Sequence, residues 1–228
     1  MEGLAISSND HLFDKERASC SGCGGSRKYF CYTCIRLMPE LEGFIPQVQL
    51  PLLVDIIRHP KECEGKSTGI HGPLLAPKHI TLHIYPDIPD YRTQSDFVVL
   101  VYPGAEAEQL SEMAENSSKS DVLKIEKCVF LDCTWFQAKA MRCHPHLQGL
   151  RMLRLQAHQT QYWRPQLGYS SEHLATIEAV YYFLVEYHCI CLKQEYDGRY
   201  DDLLFFFDFF LKRIRNAIAA SHQEGTKK

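Results

Sequence analysis

VFLDCTWFQAKAM, residues 129 to 141, changes character twice in a short space. An apolar run stops at Asp132, and Trp135 opens a segment with helical spacing. A carboxylate at the carboxyl end of a buried strand stands where open α/β sheets bind their ligands. That makes Asp132 a site candidate. A second reading is local: Asp132 or Thr134 accepts the free amides of the following helix, spanning Thr134 to about Arg142, while Trp135 packs as core.

Outward from this stretch, other runs share its form. PLLVDIIRHP (51–60), ITLHIYP (80–86), DFVVLVYPG (96–104), KCVFLDC (127–133) and LRMLRLQ (150–156) are apolar and bounded by proline, glycine or polar residues. They predict strands. The glycine-rich ECEGKSTGIHGPLLAP after the first strand reads as a loop, and AEAEQLSEMAENSSKSD as partly helical or a loop. Two long helices follow. Ile177, Val180, Tyr181, Leu184, Val185, His188 and Leu192 share one face, as do Leu203, Phe207, Phe210, Leu211, Ile214 and Ile218. Phe205, Phe206 and Phe209 widen the second stripe almost all round, so that helix is buried on two sides or meets a partner. Strands separated by helices and loops predict an α/β fold with a mostly parallel sheet and flanking helices.

CSGCGGSRKYFCYTC (20–34) places Cys20, Cys23, Cys31 and Cys34 in two CxxC turns, with Gly22, Gly24 and Gly25 easing the bends. Four thiolates at that spacing suit a tetrahedral metal, and a small closed knuckle favours structural zinc over an iron–sulfur cluster. With all four positions filled by sulfur, the metal has a structural task and leaves the chemistry to other groups. The chain has 228 residues, ten cysteines and a formal net charge of −3. It reads as a flexible N-terminus (1–18), a zinc knuckle (19–40), one globular domain (41–222) and a flexible tail (223–228). There is no strong positive charge overall, so nucleic acid binding would need a local basic patch. No apolar run reaches the length of a membrane span, and the N-terminus lacks a signal-peptide pattern. Many cysteines without such a signal predict a reducing compartment, nuclear or cytosolic.

Taken together, the CxxC pair, RHPKECEGKSTG (58–69), LVYPG (100–104), LDCTWFQA (131–138) and LATIEAVYYFLVEYH (174–188) occur in an order that resembles the DTW-domain family of tRNA-uridine aminocarboxypropyltransferases. The closing YDDLLFFF (200–207) is similar to the eukaryotic branch acting on the tRNA D-loop. The resemblance implies a SPOUT-like, knotted fold and transfer of the 3-amino-3-carboxypropyl group of S-adenosylmethionine to uridine N3, with release of methylthioadenosine. It also implies a nuclear location. Ala175 stands where related sequences usually carry Ser, and the segment between Gly104 and Lys127 lacks a long basic insertion.

On that resemblance, three loops clasp the cofactor: Tyr102, Pro103 and Gly104; Leu131 through Trp135 with Cys133; and Leu174, Ala175 and Thr176. Glu178 reaches the cofactor or is an exposed helix residue. Asp132 serves as general base or faces the positive sulfur. Thr134 orients it or caps the helix, and Trp135 stacks on a base or packs as core. Arg58, His59, Lys66, Ser67 and Thr68 suit tRNA phosphates, the methionine carboxylate, or a solvated loop. Lys139 and Arg142, with Arg27, Lys28, Arg151, Arg154 and Arg164, supply basic groups for RNA, and Tyr162 and Trp163 aromatic ones. The partners expected are tRNA and S-adenosylmethionine, with a monomer favoured and no membrane. Two other readings are an RNA methyltransferase of the same fold and a non-catalytic zinc-knuckle RNA-binding protein.

Overall fold

The computed structural model describes residues 3–116, 125–163 and 170–225. Two small hairpins come first: β1 (Ala18–Ser19) with β2 (Ser26–Arg27), and β3 (Phe30–Cys31) with β4 (Arg36–Leu37). Then follow β5 (Leu53–Arg58), α1 (His71–Leu75), β6 (Ile80–Ile84), β7 (Val98–Val101), β8 (Glu108–Gln109) and α2 (Leu110–Asn116). The chain continues through β9 (Lys127–Asp132), α3 (Trp135–Met141), β10 (Arg151–Arg154), α4 (Thr176–Ile190) and α5 (Phe205–Gly225). Strands β6, β5, β9, β7, β10 and β8 form, in that order, one sheet whose neighbours all run parallel. The five strands read from the sequence are all present. The stretch read as a glycine-rich loop holds α1, whose five residues are too few for an apolar repeat to show.

Period-two alternation sorts the strand residues onto two faces. Val54, Ile56, Val99, Cys128 and Phe130 join the large core with α4 and α5. Ile57, Val98, Leu100 and Val129 join a smaller core with Met141 of α3. Both faces are covered, as a parallel sheet requires. Among the described residues no helix is long and apolar enough to cross a membrane. The threading between β10 and α4, on which the expected knot depends, includes residues 164–169, outside the described ones.

The phenylalanine-rich helix α5 is buried on two sides. Phe205, Phe206, Phe207 and Phe209 are all fully buried. The cysteine knuckle covers one side: Phe30 meets Phe206 at 5.1 Å between ring centroids, Tyr29 meets Phe209 at 5.0 Å, and the Tyr29 hydroxyl accepts from Arg213. The N-terminal segment covers more of it. Phe13 stacks edge-on against Phe209 at 5.0 Å, and buried Asn9 donates to Asp208 at 2.9 Å and to the Phe205 carbonyl. Ala5 donates its amide to Asp201 at 2.6 Å. Residues 3–18 were expected to be frayed on polarity alone. Ala5, Asn9 and Phe13 are instead held against α5 and the turn before it, and the partners of Asn9 lie nearly two hundred residues away in sequence.

Phe206→Ala removes a ring from this knuckle–helix seam. It is expected to cost about 3–5 kcal/mol of stability, read from denaturant unfolding.

Candidate active site

Asp132 is the last residue of β9, and the parallel register sets it directly beside Arg58, the last residue of β5. Both lie at the carboxyl edge of the sheet's central strands, where the crevice of such a sheet opens. The Asp132 side chain is nearly fully buried yet lines a cleft of about 420 Å³. That volume lies within the range of roughly 300–1,000 Å³ common for small-molecule sites. Two hydroxyls hold the carboxylate: Ser67 Oγ donates to Oδ2 at 2.5 Å and Thr176 Oγ1 donates to Oδ1 at 2.7 Å. Burial pushes the Asp132 carboxyl above its ordinary value, although the Ser67 and Thr176 bonds and the charge of Arg58 oppose it. Each oxygen keeps acceptor capacity, so the group can still take a proton from a ligand.

Gly69 makes this packing possible. A Cβ there would stand 2.8 Å from the Asp132 Cγ and Oδ2 and 3.1 Å from Ile56. Only a bare backbone lets the 67–69 loop close over the carboxylate. Neither Gly69 nor Glu62 stood out in the sequence as a site residue. Glu62 lines the same cleft, half-buried, and its carboxyl is raised by burial and then by the nearby charge of Asp132. The cleft thus carries two carboxylates whose proton affinities are both elevated, an arrangement common at functional sites. No spacing pattern announces such a pair, since seventy residues separate its members.

The three loops expected to clasp a cofactor do surround the cleft. Tyr102, Pro103, Leu131, Cys133, Thr134, Trp135, Leu174, Ala175 and Thr176 line it. Gly104 turns the chain just behind, with its amide on the Tyr102 carbonyl at 2.8 Å. Burial pushes the Cys133 thiol up to about 12, so it stands in the wall as a neutral group. Thr134 is the N-cap of α3, in a reciprocal box with Gln137: the Gln137 amide donates to Thr134 Oγ1, and the Thr134 amide donates to Gln137 Oε1 at 2.9 Å. Asp132 is therefore released from capping and free to face the cleft. Trp135 forms the wall beside it, edge-on to His173 at 4.8 Å.

Several expected contacts are differently employed. Glu178 is neither exposed nor in the cleft wall. Buried, it accepts from the Ala175 amide at 2.8 Å, Thr160 Oγ1 at 2.6 Å and the Gln161 amide at 2.8 Å, which ties the approach to α4 in place. Because position 175 is alanine, the hydroxyl half of a capping box is missing there. Ser67 and Thr68, read as facing RNA, are buried; Thr68 Oγ1 accepts the Ile177 amide at 3.3 Å. Arg58 is buried with them, 3.6 Å from Glu64. By sequence these three suit tRNA phosphates, the methionine carboxylate or a solvated loop; they are buried beside Asp132, with Ser67 and Thr68 lining the cleft, while Pro60, Lys61, Cys63, Gly65 and Lys66 of the same segment are exposed. His59 accepts the amide of Lys61 at 3.1 Å through Nδ1. Lys66 lines the cleft.

The wider basic surface is also reduced. Arg151 faces Glu108 at 3.6 Å and Arg154 faces Glu112 at 3.2 Å. Tyr162 and Trp163 lie against Phe207 of α5, and Arg164 lies outside the described residues. Arg27 covers the Tyr32 ring and Lys28 the Tyr29 ring. Lys139 is exposed on α3, and Arg142 sits 5.6 Å from the centre of the Tyr102 ring at the cleft mouth.

Apart from the cleft, the sulfurs of Cys20, Cys23, Cys31 and Cys34 lie within 4.8 Å of one another. Tetrahedral zinc with Zn–S bonds of about 2.3 Å holds its sulfurs about 3.8 Å apart, so the group is closed enough to take a metal ion with little movement. The Gly22 amide points to Cys20 Sγ and the Cys34 amide to Cys31 Sγ, both at 3.4 Å. Such amides favour the thiolate form that a metal needs.

Residues 28–215 match the DTW domain. Among curated proteins, tRNA-uridine aminocarboxypropyltransferase 1 of Xenopus tropicalis is 39% identical over 240 residues, covering 89% of this chain and 81% of its own. The protein of the same name from Mus musculus is 35% identical, covering 95% and 84%. That from Homo sapiens is also 35% identical, covering 100% and 88%. No solved structure matches the chain at a significant level.

Gly69→Ala drives a methyl group into the carboxylate of Asp132. It is expected to lower stability by about 1–3 kcal/mol and to break the Ser67 bond. Chemical denaturation and the carboxyl carbon resonance of Asp132 report these two effects.

Proposed function

The chain belongs to the DTW-domain family, and we propose that it is a tRNA-uridine aminocarboxypropyltransferase that uses S-adenosylmethionine to modify N3 of a D-loop uridine. The observation that carries the reading is the buried Asp132 carboxylate in the wall of a cleft bounded by three strand-end loops. The names of the relatives support transfer of the aminocarboxypropyl group over methyl transfer or RNA binding alone.

The sulfonium of S-adenosylmethionine supplies an activated carbon with a good leaving group. Uridine N3 is a poor nucleophile while protonated. Asp132 accepts that proton, and the freed lone pair forms the N3–C bond as the C–S bond breaks toward sulfur. Methylthioadenosine leaves neutral, and the proton rests on Asp132. Ser67 and Thr176 orient the carboxylate so that its remaining lone pairs face the cleft. Its raised proton affinity suits a base better than an ordinary carboxylate would. Glu62 and Asp132 together place negative charge beside a cationic donor. Which of the three sulfonium carbons reacts is a matter of alignment, which the walls at Tyr102–Pro103 and Leu174–Thr176 would set. Lys66 in the cleft lining, Lys139 on α3 and Arg142 beside Tyr102 would meet tRNA phosphates. Zinc in the four-cysteine knuckle would brace the seam with α5, and a nuclear location rests on the family resemblance.

Unmodified tRNA, protein and S-adenosylmethionine, followed by nucleoside mass spectrometry, test the function. The expected products are 3-(3-amino-3-carboxypropyl)uridine and methylthioadenosine; S-adenosylhomocysteine in their place would refute it. Asp132→Asn is expected to lower the rate at least about 100-fold with tRNA affinity retained. A protonated carboxyl cannot act as a base, so the wild-type rate rises with pH until Asp132 is ionised. Burial places that limb above the ordinary aspartate value of about 3.9, and a limb at or below it would count against the assignment. Purified protein is expected to hold about one zinc per chain. Cys31→Ser should release it and lower the melting temperature, leaving affinity for S-adenosylmethionine unchanged.

A further inference from the structure

Helix α3 turns about 100° per residue, and this turn separates two neighbours sharply. Trp135 and Ala138 form a stripe that lines the cleft. Phe136, Lys139 and Ala140 form the adjoining stripe, and all three are exposed. Phe136 is 88% exposed, more than any other large hydrophobic side chain among the described residues. It stands one residue from the cleft wall, in the first turn of the helix.

Among the described residues nothing accounts for a phenylalanine there. The first turn is already satisfied by the Thr134–Gln137 box, and phenylalanine is a weaker helix former than Arg, Lys, Gln or Glu. Its ring leaves almost its whole surface in water, which disfavours it on a face with no partner. The ring is next to a cationic group, since Lys139 follows it by three positions and three-apart residues are neighbours on a helix surface. Arg142, just past the end of α3, stands over the ring of Tyr102 in the cleft lining. An aromatic face beside cations is the pair that single-stranded RNA loops engage, with a base stacked on the ring and the phosphate at the charge. A protein partner would call for a broader apolar patch, and the neighbours of Phe136 on its stripe are small or charged.

We infer that Phe136 is the stacking platform for a nucleotide flanking the target uridine, with Lys139 holding that nucleotide's phosphate. The inference rests on the proposed tRNA activity and adds to it the residue that docks the loop. The target base enters the cleft past Trp135 while its neighbour lies on Phe136 outside, which keeps the loop splayed and the register of the uridine set.

The test compares Phe136→Ala, Phe136→Leu and Phe136→Trp in the full chain with unmodified tRNA transcript. The expected result is an approximately tenfold rise in KM and Kd for tRNA in the Ala and Leu variants. The Trp variant should be close to wild type, because stacking needs a π face. The kcat at saturating tRNA, the KM for S-adenosylmethionine and the melting temperature should stay unchanged in all three. A 2-aminopurine beside the modified uridine should be quenched by wild type and by Phe136→Trp, and less by Phe136→Ala. Wild-type tRNA affinity in Phe136→Ala, equal affinity in Phe136→Leu and Phe136→Trp, or a loss confined to kcat would each overturn the inference. A wild-type protein that transfers nothing to tRNA would overturn the function itself, whatever Phe136 does.

Discussion

A carboxylate with its charge taken out of water has to be held by something, and the architecture around Asp132 is arranged by that need. Burial alone would neutralise the group. Two hydroxyls, from the 67–69 loop and from the first residue of α4, each donate one hydrogen bond, and Arg58 adds a positive charge at the next strand end. The balance leaves the proton affinity raised but the group still bonded as a carboxylate. That requirement brings together the ends of β5 and β9, the segment after β5 and the start of α4. It also explains a glycine at position 69, where any side chain would collide with the carboxylate. The same loops that hold the acid become the walls of the cleft.

A second constraint acts at helix α5. Helix α5 carries more phenylalanine than the sheet can cover, so its outer face needs a lid from elsewhere. The cysteine knuckle and the N-terminal segment supply it through Tyr29, Phe30, Phe13 and Asn9. Hairpins of two-residue strands have too little core to be stable alone. The knuckle therefore depends on the helix and on its four clustered sulfurs, while the helix depends on the knuckle to keep its rings from water. This mutual need gives the four cysteines, none of which lines the cleft, a bracing position.

Much of this could be read beforehand where the signal was local. Apolar strands with period two, helices with one apolar face, and a CxxC pair are properties of neighbouring residues, and each is present, although Leu192 and Leu203 fall just outside α4 and α5 and Ile218 is exposed. The Thr134 cap was legible too, because a capping box is a four-residue pattern. Readings by local polarity fared worse. Ser67, Thr68 and Arg58 lie among polar residues and are buried; Glu178 sits on a helix that looks polar there and is enclosed by Thr160 and Gln161. The acidic partners of Arg151 and Arg154, Glu108 of β8 and Glu112 of α2, are likewise set beside them only by the fold.

By itself, then, the amino-acid order determined the parallel α/β class, the metal-ready knuckle, the family, and Asp132 as the residue of interest. Period, spacing and strand ends are written in adjacent residues. Only the folded chain decided which polar groups face Asp132, that Glu62 and Gly69 share its site, and that the N-terminal segment is tied down. Those depend on contacts between residues far apart in the chain, and burial of a charged or polar group is a property of what folds over it rather than of what precedes it.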